Sequence, residues 1–154
     1  MNNNVTTSAG TPNFTSAERR AAVDEAGKAS DDFYRLFYKT LEMRPHRVAQ
    51  LYLDSAVLIW DGNPYVTSDA IKKFYENLPS LTFSVATVDA QPLPREAVGD
   101  QKTFMITTGG SYRVSGVGNR NFSQTFVITA HTDKWKIASD VFRTQVHPTH
   151  ANAL

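Results

Sequence analysis

Between Asn121 and Gln145 apolar and polar positions alternate in two runs around a short polar turn, His131-Thr-Asp-Lys134. Side chains on a strand alternate with period two, so this pattern predicts a β-hairpin. In the first arm Phe122, Phe126 and Ile128 fall on one face, and Ser123, Thr125, Val127 and Thr129 on the other. In the second arm Ser139, Val141 and Arg143 alternate with Asp140, Phe142 and Thr144. The phenylalanine face is the expected core face. The opposite face carries small hydroxyls, valines and a single arginine, where a solvent face is usually more charged. That composition points to a surface covered by another sheet.

Upstream the pattern changes period. Thr15-Ser-Ala-Glu18 has the form of a capping box, and Val23, Ala26, Ser30, Phe33, Phe37 and Leu41 recur at threes and fours, predicting a helix to about Met43. Pro45 ends it and can begin a short second helix carrying Val48, Leu51 and Tyr52. Ala56–Trp60 reads as an apolar strand closing in Asp61-Gly-Asn, with Tyr65-Val66 as its return. Thr67 or Ser68 can cap a third helix carrying Ile71, Phe74, Tyr75 and Leu78. Leu81–Gln91 and Lys102–Val114 then read as strands; in the second, Phe104, Ile106 and Thr108 oppose Thr103, Met105 and Thr107. Gly109-Gly110 in its middle suggests a bulge or sharp bend. Three helices followed by long antiparallel strands predict an α+β domain, with the helices on the concave face of a bent sheet. The domain is expected over residues 14–146, with loose polar tails at 1–13 and 147–154.

Composition narrows the chemistry. With 16 basic and 15 acidic residues among 154, the formal charge of +1 gives no electrostatic reason to expect direct contact with nucleic acid or anionic membrane. There is no cysteine, which excludes disulfides and thiolate chemistry. No apolar run approaches the ~20 residues of a membrane span, and the N-terminal stretch lacks the form of a secretory signal, so a soluble intracellular protein is expected. Asp54, Asp61, Asp89 and Asp140 lie near strand ends and are expected mainly to cap turns and face water. One of them, buried in a cone, could instead be the general base of an isomerase or dehydratase. His147-Pro-Thr-His150 has a metal-compatible spacing without a third ligand, so neither metal nor cofactor is expected. Arg143 reads either as a solvated strand-end residue or as an interface residue.

Several segments taken in order resemble the nuclear transport factor 2-like family: Phe33-Tyr-x-x-Phe-Tyr38, Leu58-Ile-Trp-Asp-Gly62, Phe74-Tyr-x-x-Leu-Pro79, Asn121-Phe-x-Gln-x-Phe126 and Trp135-Lys-Ile-Ala-Ser-Asp-x-Phe-Arg143. The likeness is greater to its branch of small export subunits. It implies a cone-shaped domain without catalysis that pairs through the outer face of its sheet with the similar domain of the large messenger-RNA export receptor. The complex would pass through nuclear pores by contact with pore proteins, shuttling between nucleus and cytoplasm. The family's interface arginine matches Arg143. Val141, Thr125 and Thr107 match interface positions that carry bulkier methionines in the homodimeric transport factor; Ser139, Val127 and Met105 share their face by alternation. The homodimeric branch carries GDP-bound Ran with an acid after the tryptophan strand and a pair of acids in a later loop. Asp61 matches the first, but Arg113–Arg120 contains no acid, which favours the export branch over the Ran carrier.

Overall fold

The structure is a computed structural model, and the residues described are 15–94 and 101–145. The expectations for residues 1–13 and 147–154, including the His147/His150 pair, lie outside them. The capping box forms as read: the Glu18 amide donates to Thr15 Oγ1 at 3.2 Å and the Thr15 amide to Glu18 Oε2 at 2.8 Å. Helix α1 then runs Ser16–Met43 and buries Ala26, Ser30, Phe33, Phe37, Tyr38 and Leu41. Val23 departs from the expected stripe and is 48% exposed, because it lies nearly a turn N-terminal to Ala26, the first residue of α1 to be buried in the core. A short 3-10 helix, Pro45–Leu51, follows with Pro45 in its first turn. Strand β1, Tyr52–Trp60, is longer than its apolar run suggested. Asp61 and Gly62 both take positive φ (47° and 84°) in the two-residue turn to β2, Asn63–Val66. Such turns match the twist of a hairpin and suit Asp-Gly. Thr67 caps α2, Ser68–Glu76.

The described residues end in four long strands: β3 Leu81–Pro92, β4 Thr103–Val114, β5 Gly118–His131 and β6 Lys134–Gln145. The six strands of the described residues form one sheet in the order β2-β1-β6-β5-β4-β3. The α+β cone expected from the sequence is present, with one refinement: β1 and β6 run parallel, while every other pairing is antiparallel. The parallel pair arises because the chain leaves β1 through β2 and α2, builds β3–β5, and returns alongside β1 only with β6.

The glycine pair also acts differently from a bulge of its own. The extra residue lies on the facing strand, where the register shifts between Val85 and Thr87, opposite Gly110 and Gly109. A Cβ on Gly110 would lie 2.1 Å from the Ser84 carbonyl oxygen. The bulge therefore presses β3 against bare backbone, and Gly110→Ala is expected to destabilise the fold by about 3 kcal/mol, the upper range for overpacking. A thermal melt unchanged from the wild type would contradict this.

The concave face is filled by aromatic side chains. Phe37 packs edge-on against Phe126 with centroids 4.7 Å apart, Trp60 stacks on Phe142 at 3.7 Å, and Phe122 stacks on Phe142 at 5.5 Å. These residues come from α1, β1, β5 and β6, so helix and sheet share one core.

Candidate protein interface

Strand register brings the residues singled out from alternation into cross-strand rows on the convex face. Thr107 pairs with Thr125 and Thr125 with Val141; Met105 pairs with Val127 and Val127 with Ser139. Arg143 pairs with Ser123, which pairs in turn with Gly109. All seven candidates thus share one surface of β4, β5 and β6, opposite the aromatic core. Thr107, Thr125, Met105, Val127 and Ser139 are half-buried, while Val141 (41%) and Arg143 are exposed. Thr107 and Thr125 bring their hydroxyls to 3.5 Å.

Two apolar residues missed from the sequence extend the surface. Val57 pairs with Ser139 and Ile59 with Val141, carrying it onto β1. The run Ala56–Trp60 is apolar throughout, so its pattern alone did not show which side faced out. On the other flank the rows end at exposed Asp89 and Gln91 of β3. Among the described residues Arg143 takes part in no ion pair. Within these rows the surface is therefore mildly apolar with one cation outside any described ion pair, Arg143.

Asp61 lies at the rim. Its Oδ1 accepts the Thr144 amide at 2.6 Å and its Oδ2 accepts the Thr144 hydroxyl at 2.7 Å. Asp54 and Asp89 are exposed, as expected of strand-end acids. Asp140 is the correction: it is fully buried in the cone. Its parity with Phe142 turns it inward, and a set of polar groups receives it. Tyr52 donates to Oδ2 at 2.6 Å and the Gln124 amide to Oδ1 at 2.8 Å. Tyr75 lies 2.9 Å from the Tyr52 hydroxyl, Tyr38 donates to Gln124 Oε1 at 2.6 Å, and Thr108 is 2.7 Å from Tyr38. Each hydroxyl has one proton, so with Asp140 ionised Tyr75 donates to Tyr52 and Thr108 to Tyr38; every donor in the chain then points toward the carboxylate.

Burial outweighs these bonds and raises the Asp140 pKa from its ordinary 3.8 to about 7, while the bonds from Tyr52 and Gln124 oppose the rise. Burial likewise pushes the Tyr38, Tyr52 and Tyr75 hydroxyls up. An inward carboxylate of this kind is what a cone enzyme would need, but here it has no solvent exposure and both oxygens are bonded to the protein. A base must come within hydrogen-bond reach of a substrate proton, and the packed tyrosines occupy that space.

With this geometry in hand, comparison with known proteins fixes the lineage. The family description "Nuclear transport factor 2 (NTF2) domain" matches residues 29–144. The human NTF2-related export protein 2 is 38% identical over 135 residues, covering 85% of this chain and 95% of its own. Among solved structures, nuclear transport factor 2 from Cryptosporidium parvum superposes with a TM-score of 0.69 at 21% identity, covering 79% of this chain and 95% of that one. The C. albicans Mtr2–Mex67 M domain complex gives 0.66 at 12% identity, with 79% and 95% covered. These two likenesses speak for the fold. The human relative and the domain match go further: the chain belongs to the nuclear transport factor 2 domain family and, within it, to the NTF2-related export proteins.

Proposed function

We propose that the chain is a binding subunit in messenger-RNA export, pairing through its convex sheet face with the similar domain of a large export receptor. The observation that carries this reading is the surface formed by Thr107, Thr125, Val127, Val141 and Arg143, extended by Val57 and Ile59. Its apolar and hydroxyl side chains suit close sheet-on-sheet packing, and its lone arginine asks for an acidic residue on the partner. Family membership supports the same role, since the matched relatives are named export proteins. The subunit is non-catalytic. The pair passes through the nuclear pore, with this chain shuttling between nucleus and cytoplasm.

Co-expression of the full chain with the nuclear transport factor 2-like domain of a large export receptor tests the pairing. A 1:1 complex stable through gel filtration is expected, whereas separate elution of the two proteins would overturn the reading. Val141→Glu places an unpaired charge at the centre of the packed face and is expected to weaken the complex by about 3 kcal/mol or more. Wild-type affinity measured by calorimetry for this variant would remove Val141 from the interface.

A further inference from the structure

From the hydrogen bonds at the end of β6 we infer that Asp61 is a positioning residue for Arg143, acting through Thr144 to fix the direction in which the arginine meets its partner. The inference rests on the pairing role proposed above and gives Asp61 a task within it. The last register pair between β1 and β6 is Trp60 with Phe142. Beyond Phe142 the chain of β6 still has β5 on one side, where Arg143 pairs with Ser123 and Thr144 with Phe122, but β1 has already turned away. A strand edge without a neighbour leaves its amides to water and is prone to fray.

Asp61 supplies the missing neighbour. Its backbone amide donates to the Phe142 carbonyl at 3.0 Å, continuing the ladder by one bond. Its carboxylate then takes the place of the next strand carbonyl and accepts the Thr144 amide, while its second oxygen accepts the Thr144 hydroxyl. That hydroxyl spends its one proton on Asp61, so the Tyr112 hydroxyl, 2.7 Å away, must be the donor to Thr144. The result is a tether from the β1–β2 turn through Thr144 to Tyr112 of β4, with Asp61 bonded to β6 at the residues before and after Arg143. The positive φ of Asp61 and Gly62 lets a turn residue double back in this way. An arginine recognises a carboxylate through a planar fork, so its base must be held in one direction. Both oxygens of Asp61 are also engaged within the chain, which sets this use apart from a contact to an outside basic surface.

The test is a double-mutant cycle on the affinity of the full chain for the receptor's sheet domain. Asp61→Ala is expected to weaken pairing about tenfold, and Asp61→Asn, which keeps one acceptor, by no more than about threefold. In an Arg143→Ala background Asp61→Ala is expected to add less than about a twofold loss, because the group it orients is gone. In the unpaired chain, the Thr144 amide should exchange with solvent faster in Asp61→Ala than in wild type, which needs no complex to measure. The inference is overturned by an equal loss in both backgrounds, by wild-type affinity in Asp61→Ala, or by unchanged Thr144 exchange. A wild-type chain that fails to pair at all would instead strike at the proposed function; unchanged exchange with intact pairing strikes only at Asp61.

Discussion

Arg143→Glu is expected to abolish pairing with the large receptor's domain while leaving the isolated chain folded. Arg143 is exposed and takes part in no ion pair among the described residues, so reversing its charge breaks nothing inside the monomer. A surface substitution of this kind ordinarily changes stability by no more than about 0.5 kcal/mol. In a packed sheet interface the same change places two carboxylates together out of water. Removing an arginine that anchors an interface costs about 2 kcal/mol, and adding repulsion should raise the loss to ~4 kcal/mol, about a thousandfold in affinity. Gel filtration and titration calorimetry read the pairing, and a thermal melt of the free chain reads the fold. Pairing at wild-type strength would remove Arg143 from the interface, and a collapsed melt would show that it serves the monomer.

Asp140→Asn is expected to change how stability depends on pH. The Asp140 carboxyl has a folded pKa of about 7 against 3.8 as its ordinary value. Between those values the native state binds a proton that the unfolded chain has released, so this group makes stability fall as pH rises from about 4 to 7. Below that window its contribution is fully present, and above it the loss levels off at several kcal/mol, on the order of 4. Asparagine keeps the size and one acceptor but does not titrate, so the variant should gain relative to wild type as pH rises. Urea unfolding at pH 5 and pH 8 measures this directly. Parallel pH profiles for the two proteins would mean that Asp140 does not titrate in the fold. Asp140→Ala, by contrast, leaves the Tyr52 hydroxyl and the Gln124 amide without their acceptor and should cost about 3 kcal/mol even at low pH.

The two results concern opposite sides of one strand, and the sequence disclosed those sides unequally. Val141 and Arg143 on one face and Phe142 on the other follow from period-two alternation, which needs no tertiary information. The same alternation puts Asp140 in phase with Phe142, and Gln124 in phase with Phe122 and Phe126. That parity was the available sign of a buried polar pair. Composition argued against it, because aspartate and glutamine are seldom buried unless paired. Their partners Tyr38, Tyr52 and Tyr75 come from α1, β1 and α2, and no local pattern links them. The neighbourhood of β1 and β6 was hidden for the same reason. Val57 and Ile59 gained an outward role only once register placed them beside Ser139 and Val141.

The position of β6 between β1 and β5 carries a consequence for how the protein is made. The bond from Tyr52 to Asp140 joins residues 88 apart in the sequence. Closing such long loops comes before the contacts that offset their entropy, so folding is expected on a millisecond-to-second scale, slower than for a helical bundle of this size. On the ribosome, β1 and β2 emerge before β6 and wait with one edge open until it arrives. Until then the nascent chain has two separate half-sheets, each offering a ragged border to its neighbours. Strand β6 is therefore the keystone: it joins the halves and in the same step completes the convex face proposed for pairing.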